Sequence, residues 1–305
     1  MKKLLLSTLV LAAGLSLAAC KKKEKIKMLT PSGTPLMAVG NLIGDSDKEI
    51  EVVSGPENIT TELAKNSLDI IIAPLTAGAK LSIAGKSKYK LEAVITTNNT
   101  YVISKKATTL TNISDLKGKK IVAYGKNNTP DIALKNAFKT NSIADSEVEI
   151  TYENDVTTAT STFLGGSDYD YCLIAEPQIT ALKVNKNLEL NVLDLSEYMS
   201  TTIYQAGIFV NPNSNEKRCN EVISEIKSNI ETLNAKPAEY AKKVLNKNEF
   251  FTKMGEAVLT QSIPNANISF IKAKENKDKI LAYYTEVNNY NSAILGGTVT
   301  DEFFR

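Results

Sequence analysis

Histidine and tryptophan are absent from all 305 residues, and cysteine occurs only three times. Without histidine the Ser-His-Asp arrangement, most zinc sites and the commonest general base are excluded. No Gly-x-x-x-x-Gly-Lys-Ser/Thr occurs, and the glycines around Gly33 and Gly40 do not form the dinucleotide fingerprint. Arginine is also scarce. None precedes Arg218, so the first 217 residues cannot supply a bidentate guanidinium grip on a carboxylate or sulfonate. Glu176 follows an apolar run with no second carboxylate that the sequence pairs with it, so two-carboxylate catalysis has no visible pair. No catalytic residue, metal site or cofactor is expected.

What is present begins at the amino end. Lys2 and Lys3 precede an apolar run from Leu4 to Leu17, and Leu17-Ala18-Ala19-Cys20 follows. A basic start, a short apolar stretch and small residues before a cleavage point make a secretory signal too short to remain as a span. With cysteine as the next residue the segment resembles the bacterial lipoprotein signal. That resemblance implies removal of residues 1–19, a lipid (diacylglycerol and palmitate) on Cys20, and a chain working on the extracytoplasmic face of the cell membrane. Two acyl chains hold a protein to a bilayer where one does not. Residues 20–25, including Lys21-Lys22-Lys23-Glu24-Lys25, read as a solvated tether.

Loss of residues 1–19 leaves equal numbers of basic and acidic side chains. That balance gives no reason to expect nucleic acid as a partner. Cys172 lies in the strand-like run Tyr169–Ile174 and Cys219 at a helix start, so both read as buried thiols, with a pairing between them left open. About 280 remaining residues suffice for two hydrophobic cores.

From Ile26 onward short apolar runs alternate with amphipathic stretches of helix length, the pattern of an α/β architecture with largely parallel sheets. Strands are expected at Ile26–Thr30, Glu49–Val53, Asp69–Ala73, Leu91–Thr97 and Tyr101–Ser104, then at Lys120–Tyr124, Glu147–Tyr152, Asp170–Ala175 and Leu188–Leu193. The polar link Thr108–Lys119 reads as a crossing between domains, and Tyr204–Val210 as a strand after a second crossing. The rest reads as helical from Glu216. The chain thus divides into a first lobe over 26–107, a second over 108–203, and a return to the first over 204–305.

In open α/β sheets ligands lie beyond the carboxyl ends of strands, on helix starts whose N–H groups point outward. Four segments fit. Ser32, Gly33 and Thr34 stand before Pro35, with Thr34 reading as a helix cap. Pro74, Leu75 and Thr76 end an apolar strand in small residues. Asn127, Asn128 and Thr129 repeat the cap-then-proline order before Pro130, with Lys126 as a candidate positive charge. Glu176 before Pro177 is either a hydrogen-bond acceptor or a favourable charge at a helix start. Asn98, Asn99 and Tyr101 near one crossing, and Tyr204 and Gln205 near the other, complete the set.

The lipoprotein signal, Thr30-Pro-Ser-Gly-Thr-Pro35, Asp69-Ile-Ile-Ile-Ala-Pro74, Ile113-Ser-Asp-Leu-Lys-Gly-Lys-Lys-Ile121, Asp170-Tyr-Cys-Leu-Ile-Ala-Glu-Pro177 and the close Leu295–Phe304 together resemble a substrate-binding protein of a bacterial ABC importer. The likeness is to the two-lobed type II periplasmic-binding-protein fold, near the group serving sulfonates, nitrate and thiamine-pyrimidine precursors. It implies a monomer that clamps a small organic molecule or anion between lobes and delivers it to a permease, with the ATPase on other chains. Lacking tryptophan, a clamp on a pyrimidine would use tyrosine or phenylalanine. A small anion on helix starts and a neutral heterocycle held by Tyr101, Tyr204 and the asparagines both stay open. A surface sensor or partner-binding lipoprotein on the same fold is the alternative reading, and an enzyme using Glu176 a third.

Overall fold

Eleven short strands, rich in Ile, Val and Leu, form two sheets in the computed structural model, which describes residues 24–166 and 168–305. The signal segment and Cys20 lie outside the described residues. In the first sheet β1 (Ile26–Pro31) pairs in parallel with β2 (Lys48–Val53) and β3 (Ile70–Pro74). Next to β3 runs β10 (Tyr204–Val210), antiparallel to it and to β4 (Lys90–Thr97), and β11 (Ile268–Lys272) closes the edge. Continuous apolar burial along β3 and β10 follows from their interior places, where both faces are covered.

The second sheet has the order β7-β6-β8-β5-β9, with β5 at Tyr101–Lys105, β6 at Lys120–Tyr124, β7 at Glu149–Glu153, β8 at Tyr171–Ile174 and β9 at Leu190–Asp194. Two sheets flanked by helices agree with the expected fold class, but the sheets are mixed rather than largely parallel: five of the nine described strand pairings are antiparallel, because β10 and β11 in the first sheet and β5 in the second run against the strands they pair with. Two boundaries differ. Tyr101–Lys105 pairs with β8 and β9, so the chain crosses at residues 98–100 rather than at Thr108–Lys119. The polar run 108–119 is instead a surface connection inside the second sheet, with Asp115 Oδ2 accepting from the Thr111 and Asn112 N–H groups. A polar turn looks the same in sequence whichever sheet follows it. The expectation of helices alone after Glu216 also misses β11, a five-residue strand at the edge of the first sheet.

The helices that matter for the site start at strand ends: α1 (Thr34–Met37) after β1, α2 (Pro56–Lys65) after β2, α3 (Leu75–Ile83) after β3, α4 (Thr129–Thr140) after β6, α5 (Val156–Gly165) after β7 and α6 (Gln178–Asn185) after β8. Beyond β10 come α7 (Glu216–Ala235), α8 (Pro237–Val244), α9 (Glu249–Ser262) and α10 (Lys277–Asn291). One buried cluster runs from Leu29 and Ile71 of the first sheet through Ile203, Tyr204 and Tyr283 to Val102 and Ile121 of the second. The two lobes therefore share a core at their junction. Cys172 and Cys219 are free and buried in separate clusters, one per lobe, and burial pushes their thiols up to about 12 and about 11.

Candidate functional site

The carboxyl ends of β1, β3 and β4 and the amino end of β10 face the ends of β6 and β8 across the two crossings. Asn98 has a left-handed backbone (φ 48°), and its Oδ1 accepts from the Ile203 N–H at 2.8 Å while its own N–H donates to the Ile203 carbonyl at 3.0 Å. Gln205 accepts from the Asn99 N–H at 2.9 Å and donates to the Asn99 carbonyl and the Thr100 hydroxyl. Asn98, through its Oδ1 and N–H, and Gln205, through its side-chain amide, thus join the two crossings to each other.

Asn99 and Thr34 join the lobes. The Thr34 hydroxyl donates to the Glu176 carbonyl at 2.9 Å, and the Asn99 amide donates to both at 2.9 and 3.1 Å. The Glu176 N–H returns a bond to Asn99 Oδ1 at 2.9 Å. The cap expected of Thr34 is not made: Gly33 (φ 99°) occupies the cap position, and the hydroxyl crosses to the other lobe. At α4 the cap position falls on Asn128, not Thr129, and no side-chain capping bond forms there.

The Glu176 carboxylate accepts from the Thr180 N–H and hydroxyl at 3.1 and 3.0 Å. It therefore serves the first turn of α6, the helix-start reading of that residue. With only 4 % of its surface exposed, burial raises its pKa, opposed by the Thr180 bonds and by Lys183. Tyr101 donates to the Asn265 carbonyl at 2.6 Å, tying β5 to the segment before β11. Lys126 is exposed and stands over the Tyr152 ring at 5.4 Å. Asn127 and Asn128 are exposed at the rim.

Around the starts of α3 and α4 the packing is aromatic. Tyr204 meets Tyr283 edge-on at 5.7 Å, and Tyr284 donates to the Leu75 carbonyl at 3.1 Å. Two hydroxyls in this region are buried with no hydrogen-bond partner, Thr76 Oγ1 and Tyr283 OH. Burial raises the Tyr283 pKa and the Thr129 side chain opposes the rise, so the two are neighbours without completing a bond. Leaving such groups unmet costs free energy, which makes them the chemically unfinished part of the junction. Sequence reasoning did not find Tyr283; its place beside Tyr204 depends on the path of the last helix, which no local pattern announces. Among the described residues no cluster of three or more Cys, Asp or Glu could hold a metal, and no helix is long and apolar enough to cross a membrane.

The NMT1/THI5-like family model matches residues 47–239, which spans both sheets. The chain belongs to the NMT1/THI5-like family. No curated protein sequence matches it. Among solved structures, this family member is similar to an ABC transporter protein from Parabacteroides distasonis, with a TM-score of 0.77 and 20% identity over 92% of this chain and 98% of that one. It is also similar to the periplasmic aliphatic sulphonate binding protein SsuA from Escherichia coli, with a TM-score of 0.72 and 13% identity over 90% of each. A ligand binding component of an ABC-type import system from Staphylococcus aureus, with zinc bound, has a TM-score of 0.66 and 14% identity over 92% of this chain and 96% of that one. At these identities the likeness is one of fold.

Proposed function

We propose that this NMT1/THI5-like protein is an extracytoplasmic solute-binding protein of an ABC importer, held to the cell membrane by lipid on Cys20, and that it binds rather than transforms its ligand. The observation that carries the reading is the junction itself. Loops from both sheets meet there, Thr34 and Asn99 bond across it to Glu176, and Thr76 and Tyr283 keep buried hydroxyls that no described residue satisfies. A solute entering between α3 and α4 would meet those hydroxyls and the starts of two helices. The bonded pairs Asn98–Ile203 and Gln205–Asn99 would serve as the hinge about which the lobes close.

The chemistry of the lining favours a neutral, hydrogen-bonding solute. The junction residues offer hydroxyls, amides and aromatic rings, and the junction's two carboxylates are already engaged, Glu176 by Thr180 and Asp131, buried in the first turn of α4, by the Asn127 N–H and the Tyr152 hydroxyl. A sulfonate would depend on helix starts alone, without the cation that usually strengthens such a grip. Import would then need a permease and an ATPase on other chains, with this protein acting as a monomer.

Thermal unfolding of the protein against neutral heterocycles, sulfonates, nitrate, amino acids and vitamins tests the reading, because a ligand of the folded state raises the midpoint with its concentration. A saturating rise from a heterocycle that Thr76→Val weakens supports it. Saturation by a sulfonate with no effect of Thr76→Val overturns the ligand class, and turnover of any bound compound overturns the binding role.

A further inference from the structure

Successive residues of a strand point to opposite faces of its sheet, and this alternation gives the junction two sides. Leu173 of β8 packs in the cluster that holds α4 and α10, while Cys172 and Ile174 face the cluster of α6. On the α6 side the lobes are docked. Helix α6 packs on α9, Tyr101 reaches the Asn265 carbonyl, and Thr34 and Asn99 hold the Glu176 carbonyl at 2.9 and 3.1 Å. On the α4 side a cavity of about 260 Å³ separates α4 of the second lobe from α10, which Tyr284 ties to the start of α3 in the first. Ile132 and Asn136 of α4, Tyr283 and Tyr290 of α10, and Ile203 of the crossing stand in its wall.

Three pairs reach from α10 to α4, and none is fully made. The Tyr290 hydroxyl donates to Asp131 Oδ2 at 3.4 Å, beyond the roughly 2.5–3.0 Å usual between oxygens. Lys139 and Glu286 are 4.0 Å apart, at the limit of an ion pair. The Tyr283 hydroxyl, beside Thr129, has no partner among the described residues. Inside the second lobe the bonds of α4 are ordinary: Asp131 Oδ2 accepts from the Asn127 N–H at 2.8 Å, and Lys135 meets Asp145 at 3.0 Å. The slack is confined to the contacts that cross between the lobes.

Asp131 is 1 % exposed, and its carboxylate is already oriented by the Asn127 N–H and the Tyr152 hydroxyl of its own lobe. Tyr290, the donor from the other lobe, is 38 % exposed. An approach of α10 to α4 would shorten all three pairs, cover the Tyr290 ring and consume the cavity, each a gain in free energy. We infer that α10 is a strap poised to close on α4, with Asp131 as its fixed catch and Tyr290 as the moving part. Because Tyr283 stands in the same cavity wall, closing would also shut a solute's way in. That purpose rests on the proposed function; the motion itself does not.

Lys139→Cys with Glu286→Cys tests the motion in the whole protein with no solute present. In a glutathione buffer the two introduced thiols should form a disulfide, identified by peptide mass, since that bond needs Cα atoms within about 7 Å. The buried Cys172 and Cys219 should stay reduced. Tyr290→Phe in this background should lower the equilibrium constant of the disulfide about threefold, the scale of one modest hydrogen bond. Asp131→Asn should lower it about as much, and both changes together no further, because either alone breaks the catch. Should Asp131→Asn fail to fold, Tyr290→Phe, at an exposed position, decides alone. Absence of the disulfide overturns the closing. No loss from Tyr290→Phe, or losses that add, overturns the catch. A solute that raises the unfolding midpoint of a protein whose strap fails these tests leaves the proposed function standing without the strap.

Discussion

The side chain of Asn99 bonds both peptide groups of Glu176, accepting from its N–H at 2.9 Å and donating to its carbonyl at 3.1 Å. Asn99 sits in the crossing between the sheets and Glu176 at the end of β8, so one amide sets where the second lobe's strand end stands against the hinge. Thr34 adds the first lobe to the same carbonyl.

Asn99→Ala leaves the Glu176 N–H buried without its acceptor and removes the tie to the crossing. A loss of about 2 kcal/mol in unfolding free energy is expected from denaturant titration. Small-angle scattering should show a larger radius of gyration, because the hinge loses its stop while the Asn98 and Gln205 bonds remain.

Thr76→Val and Tyr283→Phe each remove a buried hydroxyl that has no partner. Each should stabilise the ligand-free protein by about 1 kcal/mol, a rise of roughly 3 °C in midpoint. Both should weaken solute binding at least about tenfold if the solute meets those hydroxyls. Opposite signs for stability and affinity separate this outcome from a general packing effect. Gly33→Val is a poorer probe, since a side chain at φ 99° is strained with or without ligand.

Glu176 has its pKa raised by burial, so the folded state binds that proton more tightly than the unfolded state does. Its contribution therefore falls as pH rises from the ordinary glutamate value to the raised one, and is flat above it. Glu176→Gln should raise the midpoint at neutral pH and flatten the profile across that window. Denaturation curves from pH 4 to 8 check both.

Asp47 behaves the other way. A hydrogen bond from Lys48, then one from Arg218, hold its pKa at about 2 against the cost of burial. Its stabilisation is full above the ordinary aspartate value and is lost as pH falls from there through about 2. Asp47→Asn should cost about 1 kcal/mol at neutral pH after allowance for solvent screening. The variant should then match the parent protein in strong acid.

The order of strands and helices was readable because each carries its own period, and ten of the eleven strands fall where alternation places them. The error at 108–119 has a physical origin: sheet membership is decided by long-range pairing, and Tyr101–Lys105 reads as a strand in either sheet. At the site, Thr34, Asn99 and Glu176 were recognised as residues near strand ends and crossings. That they bond one another is not legible, because they are far apart in sequence and Thr34 leaves its local cap unmade to reach the other lobe. Tyr283 was invisible for the same reason, and β11 because an edge strand needs no continuous apolar run.

The strand β10 lies between β3 and β4, yet the chain reaches it only after the whole second sheet has been made. Residues 101–194 hold every strand of the second sheet in one stretch, so that lobe can close as soon as it is available. The first lobe cannot: its middle stays open until Tyr204–Val210 slides in and Phe209 packs against Gly78, where even a methyl group would come within 2.3 Å of the ring. The lobe that begins the chain is thus completed after the lobe that interrupts it, and a fragment ending before Tyr204 would contain one complete sheet and one split in two.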